Sequence, residues 1–112
     1  MHHTDLATSF SGQYFVVTGS TQGLGAAVAH TLAQRGAAGL IICGRRRTQG
    51  EEQVRQLAQL DCQAFFVEAD LENIEDCRAI IAAAHTHFGT LHGLVNCAGM
   101  SDRGTILDTS PE

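Results

Sequence analysis

No lysine occurs anywhere in the 112 residues; all seven basic residues are arginine. A reaction that needs a catalytic lysine is therefore closed to these residues alone. Positive charge is scarce in general. The net charge is −5 with histidine neutral, and the one basic run is Arg45-Arg46-Arg47, which argues against a general nucleic-acid partner. No two of Cys43, Cys62, Cys77 and Cys97 fall at C-x-x-C spacing. That disfavours a zinc ribbon or a disulfide framework and suits buried thiols in a reducing cytoplasm. No apolar run is long enough to span a membrane. Met1 is followed by polar His2-His3-Thr4-Asp5 without the apolar core of a signal peptide, so the expected location is cytoplasmic. With 44% hydrophobic and 17% charged residues, the chain reads as one globular domain spanning residues 1–112, with a small core.

What is present is organised around Thr18-Gly19-Ser20-Thr21-Gln22-Gly23-Leu24-Gly25. Tyr14-Phe15-Val16-Val17 before it has the apolar, β-branched character of a buried strand. Ala26 to Ala33 after it reads as a helix. Glycines at a strand-to-helix turn suit phosphate binding. The first N–H groups of a helix lack intrahelical partners, and the helix dipole adds about half a positive charge there. Glycine also lets a pyrophosphate approach without a Cβ in the way. The spacing, with Gly19, Gly23 and Gly25, is G-x-x-x-G-x-G and differs from the commoner G-x-G-x-x-G. A tight turn with no ligand is the alternative reading.

The remaining chain alternates strand and helix. After a polar lead-in over residues 1–12, the first strand runs over Tyr14 to Thr18 and the first helix from Gly23 to Arg35, with Leu24, Val28 and Leu32 as its apolar stripe. Gly36 is a natural stop. Gly39-Leu40-Ile41-Ile42-Cys43 is a continuous apolar strand, as expected where both faces are covered. A second helix spans Thr48 to Leu60, with Val54, Leu57 and Ala58 inward and a capping-box spacing from Thr48 to Glu51. Ala64 to Val67 is the third strand. Asn73 to Phe88 is the third helix, with Ile74, Cys77, Ile81, Ala84 and Phe88 stepping along one face. Leu91 to Asn96 is the fourth strand. The order β-α-β-α-β-α-β with short connections implies an α/β fold: a parallel sheet with right-handed crossovers and helices on both faces. Asp108-Thr109-Ser110-Pro111-Glu112 carries the signals of a new helix start, which leads to the expectation that the sequence is a fragment of a longer chain.

Three motifs, in order and at suitable separations, resemble the N-terminal part of a classical short-chain dehydrogenase/reductase. Thr18 to Gly25 is similar to that family's T-G-x-x-x-G-x-G. Asp70-Leu71, after the third strand, is similar to its adenine-contacting Asp and the residue that follows. Asn96-Cys97-Ala98-Gly99 is similar to its N-N-A-G, with Cys97 in place of the second Asn. Phe88-Gly89 ahead of Leu91-His92-Gly93-Leu94-Val95 also fits. The resemblance covers roughly residues 12–112 and implies the first half of a Rossmann-type sheet with strand order 3-2-1-4. It implies hydride transfer between nicotinamide and a carbonyl or alcohol carbon, with Tyr and Lys of a Tyr-x-x-x-Lys pair doing the proton chemistry. That pair is absent here, since the one tyrosine, Tyr14, is followed four residues on by Thr18. The 112 residues alone are thus expected to be inactive, with no catalytic residue among them.

The cofactor-binding residues implied are Gly19, Ser20, Thr21, Gln22, Gly23, Leu24, Gly25, Arg45, Arg46, Asp70, Leu71, Asn96, Ala98 and Gly99. Arg45 lies about 20 residues past the glycines, where a dinucleotide fold reads the adenosine ribose. An arginine there suits the 2′-phosphate of NADP, where an acid would suit NAD; NADP is favoured over NAD, against a plain solvated basic loop. Asp70 either accepts from the adenine amino group or caps a turn. Asn96, Ala98 and Gly99 either border a ribose or make a tight turn. His85 and His87 are two apart on a helix and do not share a face, so no metal site is expected. Two function classes follow. The first is an oxidoreductase acting on a small carbonyl or alcohol substrate, with no nucleic-acid or membrane partner and a homo-oligomer as the complete protein. The second is a non-catalytic NAD(P)-binding module or truncated product that binds a nucleotide and a partner; a chain that binds nothing is a third possibility.

Overall fold

The computed structural model describes residues 10–19 and 23–97. Seven elements follow in the expected alternation: β1 (Tyr14–Thr18), α1 (Gly23–Gln34), β2 (Gly39–Gly44), α2 (Arg47–Ala58), β3 (Gln63–Glu68), α3 (Ile74–Phe88) and β4 (Gly93–Asn96). The polar lead-in over residues 1–9 and the helix start expected at residues 108–112 lie outside the described residues.

The strands form one parallel sheet in the order β3-β2-β1-β4. Registers run Tyr14 with Gly39, Leu40 with Ala64 and Val16 with Leu94. Fully buried Val16, Val17, Leu40, Ile41 and Ile42 occupy the two central strands. This is why those strands read as unbroken apolar runs, since helices cover both their faces. On one face Phe15, Val17, Leu40 and Ile42 pack with Ala29, Leu32 and Ala33 of α1 and Leu57 of α2. On the other, Val16, Ile41 and Cys43 pack with Ile80 and Ala84 of α3. Small residues bring the helices close. Gly50 of α2 lies so near Phe66 that an added Cβ would fall 2.1 Å from the ring's Cδ1.

Four expectations about helix faces and ends are corrected. In α3 the inward residues are Ile80 and Ala84, with Ala83 and Phe88 partly buried, whereas Ile74 and Ile81 are 65% and 50% exposed. Ala84 and Phe88 of the expected stripe do face the core, and the correction concerns Ile74 and Ile81, since Ile80 takes the inward place expected of Ile81. In α1 small residues, Gly25, Ala29 and Ala33, carry the contact beside Leu32, and Leu24 points outward at 48% exposure. In α2 Leu57 is buried, Val54 is half-buried and Ala58 is exposed. The Thr48–Glu51 capping box does not form. The cap position is Arg46, with no side-chain cap hydrogen bond, and Thr48 already lies inside the helix. By contrast, α3 is capped at both ends. Asn73 Oδ1 accepts from the N–H groups of Glu75 and Asp76 at 2.8 and 3.2 Å, and Gly89, at φ 76°, donates to His85 O.

Cys43, Cys62 and Cys97 are buried and Cys77 is half-buried, all four as reduced cysteines. Burial, with Cys77 nearby adding to it, pushes the Cys43 thiol from 9.0 up to about 12. Burial pushes Cys62 up to about 11 and raises Cys97. The native state therefore keeps protons that the unfolded chain would release. The stability this contributes is complete below pH 9.0 and is lost as pH rises toward 12. At about pH 8 a thiol reagent should modify Cys77 and leave Cys43 and Cys62 untouched until denaturant is added. Peptide mass mapping reads the order, and prompt labelling of Cys43 in the native chain would contradict it.

Candidate functional site

The carboxyl ends of β1, β2, β3 and β4 point the same way, and Gly19, Gly23, Arg45, Asp70 and Asn96 follow or close them. At the end of β1 Gly19 has φ 63°, and Gly23, opening α1, has φ 62°. Both lie in the left-handed region that a side chain resists. Nothing comes within 4 Å of a Cβ built at Gly23, so this glycine faces open space. Its backbone, and not a packing contact, is what requires glycine. Gly25 is buried beneath the first turn. Leu24 stands beside it, largely exposed, and Ser20, Thr21 and Gln22 lie outside the described residues.

Thr18 fixes the end of β1 to β4. It is the one buried polar side chain among the described residues, at 5% exposure. Its Oγ1 lies 2.8 Å from Asn96 Oδ1 and 3.4 Å from Val95 O. A hydroxyl has one proton to give, and the shorter contact takes it. The same oxygen accepts from the Cys97 N–H at 3.1 Å. Asn96 is thus an anchored strand end whose amide oxygen is already engaged. Ala98 and Gly99 lie outside the described residues.

Beyond β2 and β3 is an open cavity of about 460 Å³ lined by Arg45, Glu68, Ala69, Asp70 and Asp76. Arg45 and Asp70, expected from sequence, meet here. Arg46 is exposed at the α2 cap position. Neither arginine has an ion-pair partner among the described residues. The third of the run is committed elsewhere: Arg47 pairs with Glu51 at 3.2 Å and Glu68 at 3.1 Å, and its guanidinium lies 5.2 Å from the Phe66 ring centroid. That pairing offsets the one carboxylate of β3 beside the cavity. Each of these exposed pairs contributes little stability, so their importance is positional.

Asp70 is tied on three sides. Its N–H donates to Asp76 Oδ2 at 2.8 Å, its Oδ1 accepts from the Glu72 N–H at 3.0 Å, and its carbonyl accepts from the Asn73 N–H at 2.9 Å. Leu71 packs its side chain on the α3-side core and turns its carbonyl to Cys77 Sγ at 3.4 Å. Asp76, Glu68 and Arg47 are cavity or near-cavity residues that sequence reading missed. The available signal was the Asn73 cap, which puts Asp76 in the first turn of α3, back toward Asp70. The histidines take structural positions. His87 stacks on Phe65 with ring centroids 3.7 Å apart, and His92 Nδ1 accepts from the Tyr14 N–H at 3.0 Å.

A site of this shape can hold a dinucleotide. Left-handed glycines beside a helix N-terminus suit a pyrophosphate, and a carboxylate-lined cavity next to an arginine suits an adenosine. No helix among the described residues is long and apolar enough to cross a membrane.

Known proteins resemble this chain over most of its length. The chain is 34% identical over 100 residues to a peroxisomal 2,4-dienoyl-CoA reductase of Arabidopsis thaliana, covering 89% of this chain and 33% of that one. Among solved structures, L-sorbose reductase from Gluconobacter frateurii, complexed with NADPH and L-sorbose, superposes with a TM-score of 0.78 at 30% identity, over 83% of this chain and 35% of that one. A short chain dehydrogenase/reductase from Burkholderia phymatum in complex with NAD does so with a TM-score of 0.72 at 28% identity, over 76% of this chain and 30% of that one. The chain thus spans about a third of the length of such relatives. The family profile described as short chain dehydrogenase matches residues 13–112, so the chain belongs to the short-chain dehydrogenase family.

Proposed function

We propose that these residues form the nicotinamide-dinucleotide platform of an oxidoreductase that acts on a carbonyl or alcohol group of a small molecule. The observation that carries the reading is the pair of left-handed glycines, Gly19 and Gly23, at the carboxyl end of β1, at the same end of the parallel sheet as a cavity that joins Arg45 to Asp70. In this reading the backbone from Gly19 through Ser20, Thr21, Gln22, Gly23, Leu24 and Gly25 cradles the pyrophosphate. Asp70 and the backbone of Leu71 meet the adenine. Asn96, Ala98 and Gly99 border the nicotinamide side. A bound nicotinamide cofactor supplies the hydride. These residues bind and orient it, and none of them is assigned the proton chemistry, because the sequence contains no lysine. Relatives that are oxidoreductases by name favour this over a non-catalytic module. The complete protein is proposed to be a homo-oligomer in the cytoplasm, a compartment suited to four reduced cysteines.

NADP is proposed as the preferred cofactor. Arg45 lines the cavity and Arg46 flanks it, both without ion-pair partners among the described residues, while Arg47 offsets Glu68. A 2′-phosphate there would gain charge-assisted hydrogen bonds, at a solvated site where such bonds are worth part of their full strength. Fluorescence titration should find NADPH bound about five- to tenfold more tightly than NADH, with Arg45→Ala removing most of the difference. Coincident curves for the two nucleotides would remove the role given to Arg45.

A further inference from the structure

We propose that Asp76 is a positioning residue for adenine recognition. Through its hydrogen bond to the Asp70 N–H, it aims the Asp70 carboxylate at a base that carries an amino group at position 6. The inference rests on the nucleotide-binding reading above and assigns the cavity's base selectivity to a residue outside the family-like motifs.

The sheet ends abruptly after β3. Ala69 is the last residue held by the sheet, its N–H donating to Gly44 O at 2.8 Å. One residue on, the chain must turn, and the backbone of Asp70 leaves the ladder. Its N–H is taken up by Asp76 Oδ2 at 2.8 Å, a short bond to an ionised acceptor and so among the stronger kind. The Asp70 carbonyl and Oδ1 are held by the N–H groups of Asn73 and Glu72. Of the polar atoms of Asp70, Oδ2 alone has no hydrogen bond to a described residue, and Asp70 lines the cavity. A carboxylate oxygen can only accept. A base with a 6-amino group brings it a donor, whereas a base with a 6-oxo group brings another acceptor and leaves the carboxylate unmatched.

Asp76 is itself placed from the helix side. Its N–H donates to the Asn73 cap at 3.2 Å, and its negative charge stands in the first turn of α3, where the helix dipole favours it. Its carboxylate could have served its own helix start. It reaches back across the turn to Asp70 instead, and thus couples the orientation of α3 to that of the cavity's acceptor. Without it, the Asp70 N–H would turn to solvent, and the carboxylate would keep its charge but lose its fixed direction.

The test compares NADPH with its hypoxanthine analogue, in which the 6-amino group is replaced by oxygen, in binding titrations of the wild-type chain and variants. Wild type should favour NADPH about tenfold, and Asp76→Ala should weaken NADPH about fivefold while changing the analogue less than about twofold. Asp76→Asn, which keeps an acceptor of the same reach, should retain the wild-type ratio. If Asp76→Ala does not fold, Asp76→Glu keeps the charge but displaces the acceptor by one methylene, and it should lower the ratio in the same direction. Equal weakening of both nucleotides, or an unchanged ratio in the Ala or Glu variant, would make Asp76 a structural residue only and overturn the inference while the cofactor reading stands. A wild-type chain that binds both nucleotides equally overturns the role of Asp70 and this inference with it. One that binds neither overturns the cofactor reading itself.

Discussion

Gly19→Val should weaken NADPH binding at least about a hundredfold, a loss of about 2.7 kcal/mol. Two effects add. Gly19 sits at φ 63°, where a β-branched residue is strained by about 1–3 kcal/mol, and the turn relieves that strain by shifting its N–H groups. The branched side chain also enters the space through which a pyrophosphate would approach. Thr18, one residue earlier, is held to Asn96 and Cys97, so the end of β1 cannot move to accommodate the change. Calorimetric titration reads the affinity, and circular dichroism of the same sample shows whether the sheet persists. A folded variant with wild-type affinity would mean that the turn serves the fold alone.

The largest effect on stability is expected at Ile41. It is fully buried at the centre of the α3-facing core, beside Val16, Cys43, Ile80 and Ala84. Ile41→Ala should cost about 2–5 kcal/mol, a large share of the 5–15 kcal/mol or so that holds an ordinary domain together. The melting temperature should fall by more than about 10 °C. The cluster on this face is small and bounded by β2 backbone, so the cavity cannot collapse easily. Ile81→Ala, at a residue 50% exposed, is the matched control and should shift the melting temperature by no more than a few degrees, about the effect of an ordinary surface change. Equal shifts for the two variants would reverse the assignment of the inner face of α3.

That contrast also marks where sequence reading succeeded and where it stopped. The central strands were legible because Leu40, Ile41 and Ile42 form a run that only a sheet covered on both sides can hide. The strand order came with the family resemblance, and the observed order agrees. The glycine turn was legible because its spacing has a backbone reason. The inner face of α3 was not, because isoleucines stand at 74, 80 and 81, and periodicity does not say which of two adjacent stripes meets the sheet. The capping box failed because the helix already begins at Arg47, with Arg46 at the cap position, so that Thr48 lies inside it. Of the cavity, Arg45 and Asp70 could be chosen from motif position. Glu68 could not, since strand alternation alone does not place it at the site, and the one signal for Asp76 was the Asn73 cap, which sets it in the first turn of α3.

The attachment of β4 has a consequence for how the chain reaches this fold. Each neighbouring pair among β1, β2 and β3 joins residues about 25 positions apart, whereas the Thr18–Asn96 bond closes a separation of 78. Loop closure over the longer span costs about 1 kcal/mol more in chain entropy. The return for it is a four-residue strand, which pairs with β1 alone among the described residues. The three-stranded β-α-β-α-β unit should therefore assemble first, with β4 docking late. Substitutions at Thr18 or Asn96 that loosen this seam should then speed unfolding while leaving the folding rate nearly unchanged.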